Sequence, residues 1–211
     1  MREKYENELR TLNSQLVSMG KMIEVAIESS ILALMGRDCK SAEELIKNDD
    51  LIDSKEREIE NLCVKLLLQQ QPVASDLRVI TSALKMVTDM ERIGDHASDI
   101  ASLIVQLPDI KFCKMNLMSE MSNEILKMLH DSIDSYIARD YEKAKNVIAN
   151  DDIIDRLYGK LKHDLVEKIK TSDQGEMIID YLLIAKYLER IGDHATNIAE
   201  WAIYSITGEL K

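Results

Sequence analysis

The sequence predicts an all-α fold of two tandem antiparallel three-helix bundles. Three observations lead there: a helix-forming, aliphatic composition, apolar residues at helical spacing almost throughout, and a three-helix unit that occurs twice. In 211 residues aromatics make up only 4%, with two prolines and seven glycines. A core built from Leu, Ile, Met and Ala suits helices that pack closely. No run of β-branched alternation bounded by turns is present, so no strand is expected.

Six helices follow from the pattern, at roughly 5–36, 41–70, 75–107, 115–138, 141–170 and 176–207. In the first, Leu9, Leu12, Leu16, Met19, Ile23, Ala26, Ile27 and Leu34 recur three and four apart, which lines one face. Breaks fall at "GRDCKS", "QQQPVAS", "LPDIKF", "ARDYEK" and "TSDQGE". Both prolines lie in those breaks, where a missing N–H costs least.

The helices fall into two sets of three. "RDCKSAEELIKNDDLID" (37–53) aligns with "RDYEKAKNVIANDDIID" (139–155) at an offset of 102, sharing nine of seventeen residues. "ERIGDHASDIA" (91–101) aligns with "ERIGDHATNIA" (189–199) at an offset of 98. The four-residue difference falls between the second and third helix of each set, where Pro72 has no counterpart. A duplicated unit of about a hundred residues accounts for both offsets. The expected units are 1–107 and 114–211, joined near Pro108.

Acids stand at a meaningful spacing in each unit. Residues four apart share a helix face, so Asp49 with Asp53, and Glu91 with Asp95, form stepped pairs on consecutive helices. Antiparallel helices pair residues whose numbers sum to a constant. Here 49 + 95 and 53 + 91 both give 144, and the midpoint is Pro72, inside the expected turn. In the second unit Asp151 with Asp193, and Asp155 with Glu189, both give 344, with a midpoint inside "TSDQGE". Four carboxylates therefore share an axial level in each unit, provided that the acidic faces turn toward each other.

Two carboxylates about 4 Å apart repel by roughly 4 kcal/mol at an effective dielectric of about 20. Such clusters raise their pKa values, recruit basic partners or bind cations. Arg92 and Arg190 could supply one positive charge per unit, which is too little. Carboxylate-rich sites without cysteine suit Fe, Mn, Mg, Ca or Zn, and metal is the expectation; solvated acids near helix ends are the alternative. One turn further along, Asp99 of the first unit corresponds to Asn197 of the second. His96 and His194 are candidates either for outer partners of the acids or for surface or interface positions. Gly94 and Gly192 each cost about 1 kcal/mol relative to Ala in a helix. Their expected role is to let a helix or a ligand approach the backbone, against a reading of merely tolerated packing.

A net charge of −11 argues against a nucleic-acid partner. The N-terminal "MREKYENELR" has no signal-peptide character, and the apolar windows carry charges too closely spaced to span a bilayer. Cys39, Cys63 and Cys113 lack CxxC spacing and are expected to be free thiols of a reducing compartment.

Taken together, "NDDLID", "QQQPVASDLRVITSALKMVTDMERIGDHASDIA" and "YLERIGDHATNIAEWAIYSITGE" resemble the PhoU family over essentially the whole chain. The resemblance implies an all-α, cytoplasmic, dimeric protein with multinuclear iron or zinc clusters. It implies Asp49, Asp53, Glu91 and Asp95 as ligands in one unit, and Asp151, Asp155, Glu189 and Asp193 in the other. It also implies negative control of phosphate uptake and of the phosphate-starvation response. In that role the protein bridges the ATPase of a phosphate ABC transporter and a phosphate-sensing histidine kinase, reaching the membrane only through protein partners. No enzyme is expected. A carboxylate-bridged di-iron oxidase would use a Glu-x-x-His pair, whereas His96 follows Glu91 by five residues. No GxxxxGK[ST] phosphate loop occurs either. A purely structural dimerisation role would leave the acids unexplained.

Overall fold

A computed structural model describes residues 2–69, 73–107 and 115–209. Six helices make up the described chain: α1 (Arg2–Gly36), α2 (Cys39–Gln69), α3 (Ala74–Gln106), α4 (Met115–Ala138), α5 (Tyr141–Ile169) and α6 (Gly175–Thr207). No strand occurs among the described residues. The fold class is the one that the hydrophobic period predicts. The expected turn at Pro72, the junction at Pro108 and the thiol of Cys113 lie outside the described residues.

Helices α1, α2 and α3 pack on one another, as do α4, α5 and α6. The two units meet along α3 against α6 and along α1 against α4. The apolar stripe read on the first helix is the buried one, with Leu12, Leu16, Met19, Ile23 and Ile27 fully enclosed. Helix α3 buries Ile80, Met86, Met90, Ile93, Ala97 and Ile100, and α6 buries Ile184, Leu188, Ile191, Ala195 and Ile198. Each of these two helices buries a broad face, about half of its circumference, because it meets both its own unit and its twin.

The turns explain where two helices begin. Helix α2 starts two residues before the expected position, because Asp38 caps it by accepting from the Lys40 and Ser41 amides, each at 3.2 Å. Asp140 does the same for α5, accepting from the Lys143 amide at 3.0 Å. Before each cap stands an arginine in the left-handed region, Arg37 at φ 53° and Arg139 at φ 55°. The 102-residue offset therefore extends back through α1 and α4, and buried Ser30 and Ser132 repeat it by donating to Ile27 and Leu129 carbonyls. Cys63 is buried, and burial followed by the charge of Glu60 pushes its thiol up to about 12.

Candidate metal centre

Helical period decides where each residue of "ERIGDHA" points. In α3 the phrase buries Ile93, Gly94, His96 and Ala97, half-buries Glu91 and Asp95, and exposes Arg92. The opposing face of α2 buries Ile52 and half-buries Asp49 and Asp53. A Cβ added at Gly94 would stand 3.0 Å from both Cδ1 and Cγ2 of Ile52. The glycine is thus a place where α2 comes close to the α3 backbone. Gly192 plays the same part in the second unit, where an added Cβ would stand 3.3 Å from Cγ2 of Ile154. Close helix approach is the role that these glycines have.

That approach turns the acids toward each other. Ligand oxygens of Asp53, Glu91 and Asp95 lie within 4.8 Å of one another. Asp49 stands outside that trio but next to it. Burial raises its pKa above the ordinary range, and the charge of Asp95 adds to the rise, while a hydrogen bond from Ser98 opposes it. Glu91 is also raised, first by burial and then by Asp95, with Arg92 opposing. Arg92 spans the step, with Nη1 3.1 Å from Asp95 Oδ2 and Nε 3.6 Å from Glu91 Oε2. Arg57 reaches Asp53 at 3.9 Å. Both arginines are mostly exposed, so they screen the cluster only in part.

In the second unit the same four positions interact, with a different neighbour. Asp151 is raised by burial, then by Asp155 and, further down, Glu189. Asp193 is raised by burial, then by Glu189 and Asp151, with Lys186 opposing. Lys186 forms an ion pair with Glu189, and its Nζ lies 5.5 Å from the centre of the Tyr158 ring. Asp155 and Asp193 are exposed. Among the described residues the trio of the first unit is the group of three gathered most tightly for a cation.

Sequence reasoning missed three residues here. Glu56 follows Asp53 by three, and its pKa is raised to about 7 by burial, then by Glu91, Glu60 and Asp53. Lys186 is the second, and the third is Asp89, which accepts from His194 Nδ1 at 2.8 Å and from Asn197 Nδ2 at 3.1 Å. The repeat holds the signal for all three: at its offsets Glu56 corresponds to Tyr158, Thr88 to Lys186 and Asp89 to Tyr187.

The histidines take the interface position. His96 and His194 face each other across α3 and α6, ring centres 5.5 Å apart, and His96 also stands 5.4 Å from the Tyr187 ring. Burial holds His96 below its ordinary pKa although its Nδ1 lies 3.5 Å from Asp99. Asp99 is exposed. Asn197 turns to Asp89, and Arg190 is exposed.

The donor set fits a cation. Oxygens that share one hard ion at about 2.0–2.6 Å stand within roughly 4–5 Å of one another, as these do. Raised carboxylates also set a pH dependence. A group whose folded pKa exceeds its unfolded value stabilises the fold fully below the unfolded value and loses that contribution as pH rises through the folded one. For Glu56 the window runs from 4.5 to about 7, and Asp49, Glu91, Asp151 and Asp193 shift in the same direction. These five raised acids act against the single lowered His96, which works in the opposite sense, so metal-free protein is expected to melt at lower temperature as pH rises from about 5 to about 7, with excess metal flattening the profile. A melting point that rises over that window without metal would contradict it.

Known proteins share this arrangement of helices. The PhoU domain pattern matches residues 16–104 and 118–202. The phosphate-specific transport system accessory protein PhoU homolog of Clostridium acetobutylicum is 42% identical, with 99% of this chain and 96% of that protein aligned. Its namesake in Aquifex aeolicus is 38% identical over 96% of this chain and 93% of its own length. Among solved structures, PhoU from Pseudomonas aeruginosa superposes with a TM-score of 0.92 at 33% identity, covering 97% of this chain and all of the other. The phosphate transport system regulatory protein PhoU from Streptococcus pneumoniae gives 0.93 at 30% identity, covering 98% and 99%.

Proposed function

The chain belongs to the PhoU family, and we propose that it regulates phosphate uptake as a metal-binding adaptor. Its relatives are named as accessory and regulatory proteins of phosphate transport, and it is likewise not an enzyme. On this reading it is cytoplasmic and acts negatively on a phosphate ABC transporter and on the phosphate-starvation two-component response. The partners are the transporter ATPase, a phosphate-sensing histidine kinase and a second copy of the chain. Membrane association comes through those proteins, and no helix among the described residues is long and apolar enough to cross a bilayer. The repeats are taken as 1–107 and 114–211.

The observation that carries the adaptor's metal dependence is the gathering of Asp53, Glu91 and Asp95 within 4.8 Å. Together with Asp49 these residues would hold a multinuclear cluster of iron or zinc, with Mg, Mn or Ca as other hard-ion occupants. Asp151, Asp155, Glu189 and Asp193 would hold the second. When bound, metal supplies positive charge that offsets the repulsion among these acids. The acids themselves bridge α2 to α3 and α5 to α6, so loading ties each hairpin into a fixed surface for partners. Ligation by acids on two helices also links cation binding to folding.

Deleting the protein from its host tests the regulatory role. Phosphate-starvation genes should stay active in phosphate-rich medium, as read by a transcriptional reporter. Full repression in the deletion strain would remove it.

A further inference from the structure

One groove on the first unit borders the acid cluster only at Asp49 and extends away from it along α1. It lies between α1 and α2, holds about 880 Å³, and has Val25, Leu32 and Leu51 on its walls. These side chains are 60%, 67% and 57% exposed. Val25 and Leu32 stand seven residues apart on α1, two helical turns or about 10.5 Å. The residues beneath that space are small, Ala26 and Ala33, both buried.

The duplicated unit provides an internal comparison. At the 102-residue offset, Ala26 corresponds to Met128, Val25 to Lys127, Leu32 to Asp134 and Ser41 to Lys143. In the second unit Met128 is buried, and Asp134 and Lys143 form an ion pair over the same place. One repeat has filled and charged this surface, while the other keeps it hollow and apolar at its exposed edge.

From this contrast we propose that the groove between α1 and α2 of the first repeat is a docking site for a basic amphipathic helix of a partner protein. Such a helix would lay apolar side chains two turns apart between Val25, Leu32 and Leu51, adding a fourth helix to the bundle. Charge selects its flanks. Leaving aside Asp49, which belongs to the metal cluster, the groove is lined by two acids, Asp38 and Glu44, against one lysine, Lys21. Asp38 stays ionised because its bonds from Ser41 hold it below the ordinary range. An anionic lipid surface is repelled by that rim. A second copy of a chain with net charge −11 would bring acid to acid.

The proposal rests on the adaptor reading for its purpose, but its test does not touch phosphate control. The probe is a fluorescein-labelled peptide of about five helical turns with leucines along one face and lysines beside them. Its twin carries glutamates in place of the lysines. The full chain should bind the lysine peptide, and bind the glutamate twin at least about tenfold more weakly. Val25→Lys with Leu32→Asp installs what the second repeat carries at surface positions, so circular dichroism should be unchanged. This variant should lose about tenfold or more in affinity for the lysine peptide, and Glu44→Lys should weaken binding in a salt-dependent way. Equal binding by the double variant, or of the two peptides, would overturn the proposal. So would a wild-type dimer that the double variant abolishes, since the face would then belong to a second copy. Either failure leaves the deletion strain's phosphate response as a separate result.

Discussion

Asp53→Asn combined with Glu91→Gln should strip the first cluster of metal and leave the second loaded. The two side chains belong to the trio within 4.8 Å, one from each helix, so the pair removes both ends of the bridge between α2 and α3. Losing an outer partner of a metal ligand costs about 10–100-fold in affinity, and losing two ligands should cost at least about 100-fold. Elemental analysis should show metal falling by the first cluster's share, with circular dichroism unchanged. The effect on stability has opposite signs in the two states. Without metal, the variant should melt no lower than wild type, because two of the mutually repelling charges are gone. Each such pair, no more than 4.8 Å apart, repels by roughly 3.5 kcal/mol or more at a dielectric of about 20, and Arg92 and solvent reduce that. With metal at about 100 times its dissociation constant, wild type should gain about 2.7 kcal/mol that the variant lacks. Unchanged metal content would show that these carboxylates are not the ligands.

The fold was legible because its signals repeat. A 3.6-residue period marks the six helices, and the 102 and 98 offsets relate the two units. The sum rule gave axial level, with sums of 144 and 344, and the structure follows it to within one residue on each helix: Ile52 meets Gly94 and Ile154 meets Gly192, at sums of 146 and 346. Whether the acids faced one another was not legible, because facing depends on how α2 rotates about its axis. That rotation is set by buried Ile52 and Ile59 rather than by the acids. The neighbours of the site were hidden for another reason. Glu56, Asp89 and Lys186 lie where the repeats differ, so a reading built on identity between them passes over all three. The histidines were placed only once α3 met α6, a contact between residues about a hundred apart that no local pattern encodes.

Gly94→Val should be the most damaging single change near the cluster, and it separates packing from charge. An added Cβ already stands 3.0 Å from two atoms of Ile52, a β-branched, buried side chain with few rotamers to escape into. Two further carbons must push α2 away from α3. Overpacking of this kind costs about 1–3 kcal/mol, sometimes more; in a chain of this size each kcal/mol lowers the melting point by about 2–4 °C. Gly94→Ala tests the same contact more gently, since about 1 kcal/mol of helix propensity offsets part of the strain. Its twin Gly192→Ala has 3.3 Å to Ile154 and should therefore be closer to neutral. Ile52→Ala makes room, so the cost of Gly94→Val measured in that background should shrink, a coupling that a double-mutant cycle reads directly. Because the helix separation also sets the distance from Asp53 to Glu91 and Asp95, Gly94→Val should weaken cation binding although it removes no ligand. If stability fell while cation affinity stayed at the wild-type value, the glycine would serve the core alone, and the carboxylates would be brought together by something other than the close approach of α2 to α3.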